Sequence, residues 1–426
     1  MTTRVDAYDA IRRDVLARLE RRRLRPDADL AEVRAEVETS VDEYQRRTHL
    51  GEQVPLHDPV AMIERILRSI TDLGPLTDLV ARRDVEEIFL EGPRVSYLDS
   101  AGRLRGLTVP TTEEENLQIV DRLLAATERQ LNARTPIVQA RVLQGTARLT
   151  AAIPPVADHL SATLRRYVVR DVSLEGLVTR GSLTSSAAAF LQAVMRLRSR
   201  VAVSGEPGAG KTTLAAALLA AAPASHCVRV CEEIRELAVP ITHGAYYEVR
   251  PPAVDGTGEI TLRDLVKFVL AMRPDRIVVG EVRGAEAFEL TRAVNAGCGF
   301  LCTVHANSGP EALHALVNAA LMAGENVTEH VVRKVLSESL DLVVHAERTD
   351  GPSGTRREVA EITAVVPALG DDFTCEPVFV RRASGAPLEW TGAVPERLAA
   401  RLDRLDHPAS GGRAGLRGLL ERGATA

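Results

Sequence analysis

Gly205-Glu-Pro-Gly-Ala-Gly-Lys-Thr212 fits G-x-x-x-x-G-K-[ST] in full, and a second threonine, Thr213, follows it. Before it, Arg200-Val-Ala-Val-Ser204 is a short apolar run with β-branched residues, the pattern of a buried strand. After it, Leu214 to Ala222 is almost pure alanine and leucine, the strongest helix formers. Strand, glycine loop and helix in this order predict a phosphate cradle. Gly205, Gly208 and Gly210, with Ala209 between them, let successive N–H groups turn inward at a helix N-terminus. Lys211 is placed to reach β and γ phosphates and Thr212 to offer its hydroxyl to magnesium, so ATP with Mg2+ is the expected ligand. The loop alone suits kinases, GTPases and motors equally.

A length of 426 residues leaves room for two or three domains, and the scarcity of aromatics, 3%, predicts cores of Leu, Val, Ile and Ala. The net charge of −5 gives no global cationic field, so general nucleic-acid binding is not expected. Uncharged apolar stretches of about 18 residues are missing, and the N-terminus, MTTRVDAYDAIRRDVL, is charged from its start. These features predict a cytoplasmic protein that serves a membrane only through partners. The odd cysteine count argues against a disulfide scaffold; the four-residue spacing of Cys227/Cys231 and Cys298/Cys302 is read as buried strand packing, not zinc.

Taken in order, residues 1–72 read as a helical arm: Ile11, Val15 and Leu19 form one stripe and Leu30, Val33, Val37 and Val41 a second. Asp58-Pro59 caps a third helix through Val60, Ile63, Ile66, Leu67 and Ile70. Residues 73–155 mix short strands and helices, an α+β domain; 156–182 read as a linker, 183–395 as the nucleotide domain and 396–426 as a tail, mobile from Pro408. In the nucleotide domain Thr261-Leu-Arg-Asp264 is a capping-box signature.

Three further groups converge on the cradle. Arg276-Ile-Val-Val-Gly-Glu281 is a buried strand ending in an acid, which can put Glu281 beside the loop's magnesium. Glu232, Glu233 and Glu236 follow another strand, where parallel sheets present side chains to ligands, and a carboxylate there can orient or deprotonate the attacking water. His305 ends the run Gly299 to Val304 and is a candidate γ-phosphate contact.

Together these segments resemble the type II/type IV secretion ATPases, and within them the CpaF-type ATPases of Flp/Tad pilus assembly. Gly74-Pro-Leu76 with Val85-Glu-Glu-Ile-Phe-Leu-Glu-Gly-Pro93 is similar to the family's GPL…VTEIMVNGP, and Ile153-Pro-Pro155 with Leu164-Arg165 to its IPP…IR. Cys231-Glu-Glu-Ile-Arg-Glu-Leu237 resembles its Asp box, Arg273 to Gly284 its Walker B segment, and Thr303-Val-His-Ala-Asn-Ser308 the end of its His box. The resemblance implies a RecA-like P-loop NTPase domain (α/β) preceded by a smaller α+β domain and the helical arm. It further implies a homo-hexameric motor, with the N-terminal domain covering nucleotide and inner-membrane platform proteins as partners. In its terms Glu232 and Glu236 activate water, Glu281 serves magnesium, His305 senses phosphate, and Arg148, Arg165 and Arg166 reach phosphate.

Two departures stand out. The Asp-box aspartate is Glu233 here, and the His box opens Asn295-Ala-Gly-Cys298 where the family has N-T-G-H, so its first histidine is missing. The expected function is an ATP-driven motor for Flp/Tad-type pilus assembly or type II/IV secretion. Alternatives are a conjugation-type secretion ATPase, a RecA-like nucleic-acid translocase, or a nucleotide-gated scaffold without turnover.

Overall fold

The computed structural model describes residues 2–405 except 27, 52, 168–171, 240, 253–254, 325–327, 352–353 and 368–372, together with 416, 418 and 420. It divides into two units, 1–168 and 169–426. No helix among the described residues is long and apolar enough to cross a membrane.

In the first unit α1 (Thr2–Arg22), α2 (Leu30–His49) and α3 (Pro59–Thr71) bury Ile11, Val15, Leu19, Val33, Val37, Val41, Ile66 and Ile70 against one another. The Asp58 carboxylate accepts from Ala61 N at 2.9 Å, capping α3. Leu30 and Val60, expected on the stripes, sit in first turns and remain exposed. Then come α4 (Leu76–Ala81), β1 (Val85–Glu91), β2 (Arg94–Asp99), β3 (Leu104–Gly106), α5 (Glu113–Leu124), β4 (Ile137–Val142), β5 (Ala147–Ala152) and β6 (Ser161–Arg166). The strands form one antiparallel sheet ordered β3-β2-β1-β6-β5-β4. The helical arm is tied to this sheet's helix: the fully buried Glu115 of α5 accepts from the Tyr8 hydroxyl at 2.6 Å and faces Arg65 at 3.5 Å. Arg65 in turn lies 3.9 Å over the Tyr8 ring.

The expected linker over 156–182 is corrected at both ends. Ser161–Arg166 is β6, inserted between β1 and β5, because Ala162 and Leu164 alternate into the sheet's core. Leu174 and Leu177, on α6 (Leu174–Thr179), belong to the core of the second unit.

The second unit continues with α7 (Ser185–Met195), β7 (Arg200–Gly205), α8 (Lys211–Ala220), β8 (Cys227–Glu232), β9 (His243–Glu248), α9 (Leu262–Leu270), β10 (Arg276–Val282), α10 (Glu286–Asn295), β11 (Gly299–Val304), α11 (Gly309–Leu321) and α12 (Glu329–Ser339). It ends with β12 (Leu342–Gly351), β13 (Gly354–Val366), β14 (Thr374–Arg381), β15 (Leu388–Trp390) and α13 (Glu396–Leu405). Its nine-stranded sheet runs β15-β14-β13-β12-β7-β11-β10-β8-β9. The strands from β12 to β9 are parallel, and the three at the other edge are antiparallel. Alternate residues feed opposite cores: Val201, Val203 and Val278 meet α7 and α8, whereas Ala202, Ile277, Val279 and Phe300 meet α9 to α12. The capping box at Thr261 and Asp264 is present.

The tail expected from 396 begins instead as α13, whose Leu398 and Leu402 join the core, as do Leu416 and Leu420. Pro408 to Gly415 of the expected mobile stretch lie outside the described residues. Asp341, its side chain fully buried, accepts from Arg200 N at 2.9 Å, Arg397 at 2.6 Å and Arg401 at 2.9 Å, fastening α13 beneath the sheet. Removing that carboxylate leaves two guanidinium groups without their anion. Asp341→Ala should therefore cost about 3 kcal/mol, read as a lower urea midpoint in the fluorescence of Trp390, the single tryptophan, which packs on this core. An unchanged midpoint would show the network to be dispensable.

Candidate nucleotide-binding site

The glycine loop sits between the end of β7 and the start of α8, at the carboxyl edge of the parallel strands, where α/β sheets hold ligands. Gly205 has no room for a side chain: a Cβ there would lie 2.3 Å from the carbonyl oxygen of Ala346 on β12. Gly208, at φ 79°, takes a left-handed conformation. Gly210 caps α8, which leaves the first amides of that helix pointing into the loop. Ala209 is buried, Thr212 half-buried and Thr213 exposed on the first turn.

Lys211 is buried, and its Nζ donates to the carbonyls of Gly205 at 2.9 Å and Glu206 at 3.0 Å and meets His305 Nδ1 at 3.2 Å. An ammonium has only donors, so Nδ1 accepts and the neutral imidazole carries its proton on Nε2. Nε2 contacts the Glu281 carboxylate. Burial, with the Lys211 and Arg283 cations beside it, holds His305 below its ordinary pKa against the pull of Glu281.

Glu281 lies at a shift in the β10–β11 register between Val279 and Val282, which turns the acid out of the ladder. Thr303 fixes this bulge by donating to Gly280 O at 2.6 Å. Arg283 Nε donates to Glu281 at 2.9 Å, and the same guanidinium faces Glu233 at 3.5 Å. Lys211, His305, Glu281, Arg283 and Glu233 thus form one chain of polar contacts across the ends of β7, β11, β10 and β8.

The acidic turn after β8 is less of a cluster than its sequence suggests. Glu233 is exposed and turned to Arg283, and Arg235 stacks 3.9 Å over the Tyr246 ring. Glu236 is half-buried. Glu232 is buried: Oε1 accepts from the amides of Glu236 and Leu237, each at 3.1 Å, while Oε2 is buried without a hydrogen-bond partner. Burial pushes its pKa up to about 7. Gly280 stands where a strand-end acid is usual because a Cβ there would lie 2.6 Å from Glu232 Cγ.

Arg148 and Arg165 face each other on β5 and β6 of the first unit; Arg165 pairs with Glu87 at 3.4 Å, and Arg166 donates to the carbonyls of Arg82 and Val85. Cys298, in place of the missing histidine, precedes β11, whereas His305 follows it, so the two are roughly 20 Å apart along the strand. Cys298 therefore lies at the opposite end of β11 from His305 and the glycine loop. Two residues passed over in the sequence do reach the loop, Arg348 and Arg357 on the β12–β13 hairpin: Arg357 Nε donates to Gly208 O at 2.9 Å.

A family model described as Type II/IV secretion system protein matches residues 69–376. The chain belongs to this family. A Mycobacterium tuberculosis (H37Rv) protein provisionally named for conjugal transfer is 32% identical over 317 residues, 72% of this chain and 88% of the relative. The Type IV secretion system protein VirB11 of Bartonella quintana is 26% identical over 332 residues, 68% of this chain and 91% of the relative. Among solved structures, the pilus retraction motor PilT with bound ADP matches with a TM-score of 0.52 at 19% identity, covering 73% of this chain and 83% of that one. That likeness shows the fold: a smaller α+β unit followed in the chain by a RecA-like P-loop unit.

The residues fit a magnesium–nucleotide ligand: a buried lysine on exchangeable carbonyl partners, a loop closed to side chains, and a carboxylate with a free buried oxygen. The Glu232 environment also carries a stability signature. Folded Glu232 keeps its proton to about pH 7, against an ordinary value of 4.5, so stability is full below about 4.5 and falls as pH rises through about 7. Glu232→Gln should flatten that fall, a difference of up to about 3 kcal/mol between pH 5 and 8 by denaturant titration. Parallel curves for the two proteins would place the proton elsewhere.

Proposed function

We propose that this chain is an ATP-hydrolysing motor of the secretion family, acting as a homo-hexamer in Flp/Tad-type pilus assembly or type II/IV secretion at an inner-membrane platform. The observation that carries this reading is the linked arrangement of Lys211, His305 and Glu281 at adjacent strand ends, with Glu232, its pKa near 7, packed against Gly280, the residue before Glu281. Membership of the family supports the secretion context.

Lys211 exchanges its carbonyl partners for phosphate oxygens, and the amides of 208–213 take the remaining charge. Thr212 and Glu281 would hold magnesium, which supplies charge neutralisation at the phosphates. Glu232, with a pKa matched to physiological pH, takes the proton of the attacking water, assisted by Glu236. His305, neutral and hydrogen-bonded to Lys211, registers the arrival of phosphate by losing that partner. Arg148, Arg165 and Arg166 are candidates for added positive charge, supported by their place on adjacent strands.

A conjugation-type secretion motor is the second reading, favoured by relatives named for conjugal transfer. Single-stranded DNA is expected to leave turnover unchanged; stimulation would mark a translocase. The purified protein should release phosphate from magnesium–ATP, with Lys211→Ala at the no-enzyme background; equal turnover in that variant would sink the assignment. Activity should rise with pH through about 7 as Glu232 ionises, and Glu232→Gln should lose both the rate and that limb of the profile.

A further inference from the structure

The β12–β13 hairpin lies along the glycine loop at three points. Ala346 O is 2.3 Å from where a Gly205 Cβ would be, Arg348 Nη1 3.1 Å from the same point on Gly208, and Arg357 Cδ 3.8 Å from that on Gly210. The absence of side chains on this loop thus does two things at once: it frees the backbone and lets the hairpin close against it. Arg348 and Arg357 are cross-strand partners in the hairpin ladder, so their side chains rise on one face. Arg357 is tied to the loop by its bond to Gly208 O. Arg348 is aimed by Asp350, which its Nε and Nη2 reach at 3.2 and 3.1 Å, and Asp350 is itself held by the Thr355 hydroxyl at 2.7 Å. An exposed ion pair of this kind adds little stability, so its geometric effect is what matters: it stations a guanidinium over the loop.

We infer that this hairpin is a wall of the nucleotide site, in which Arg348 contacts the polyphosphate of a bound nucleoside di- or triphosphate and Arg357 positions the loop through Gly208. The inference rests on the nucleotide reading above. Guanidinium is suited to phosphate because its fork offers paired donors, and a charge-assisted contact of this type is worth about a tenfold change in affinity. The pair comes from the same chain as the loop and sits on the β12 side of β7, away from His305 and Glu281 on the β11 side. The site then holds phosphate charge from two sheet directions.

The test is calorimetric titration of the full chain with magnesium–ADP and a non-hydrolysable magnesium–ATP analogue, together with the melting temperature without nucleotide. Arg348→Gln should weaken both nucleotides about tenfold with an unchanged ligand-free melting temperature. Arg348→Lys should recover part of the loss, and Arg357→Gln should weaken binding while also lowering the melting temperature. Arg356→Gln, on the same strand but the alternate face, should bind as wild type. Affinities of Arg348→Gln within twofold of wild type would overturn the inference. Should that variant fail to fold, Arg348→Lys decides in its place: an affinity several-fold below wild type supports the contact, and an equal one overturns it. Wild-type protein that binds neither nucleotide would instead overturn the underlying nucleotide reading.

Discussion

The close approach of β12 to Gly205 is the constraint on which the second unit is built. In the parallel ladder Ser204 is paired with Val304 on one side and His345 on the other, and Gly205 meets Ala346. A side chain at 205 would collide with that carbonyl at 2.3 Å, and β7 could no longer lie flat between its neighbours. With glycine there, the loop leaves the sheet where β7 and its neighbour β11 end side by side. His305 then falls on Lys211 from the β11 side, and the hairpin arginines fall on Gly208 and Gly210 from the other.

Charge distribution follows from this register. Lys211 donates to two carbonyls and to the neutral His305, His305 in turn meets Glu281, and Arg283 lies between the carboxylates of Glu281 and Glu233. Glu232 is the exception: its carboxylate has one oxygen satisfied by backbone amides and the other buried without a partner, which disfavours the anion.

Much of this was legible in the sequence, for physical reasons that differ by element. The strand, loop and helix around Lys211 were readable because glycine, lysine and a run of helix formers each have one local explanation, and the boundaries of β7, β10 and β11 follow their apolar runs. Local signals failed where partners are distant in the chain. Ser161–Arg166 read as linker because only the folded sheet shows it filling the place between β5 and β1, the latter about 75 residues earlier. The acidic turn read as a cluster because only folding shows that Arg283, 50 residues on, draws Glu233 away from Glu232. Nothing local in Ile277-Val-Val-Gly-Glu281 shows why position 280 is glycine; the reason is the Glu232 side chain, which fills the space a Cβ would take. Arg348 and Arg357 carried no recognisable motif, since their role depends on a register set by the antiparallel hairpin.

If the ends of β7, β10 and β11 form one nucleotide site, hydrogen–deuterium exchange of the full chain with and without magnesium–ADP should show added protection together in 205–213, 280–283 and 303–307, with the first-unit helices α1 and α2 unchanged. Protection confined to the loop, or absent from all three segments, would contradict it.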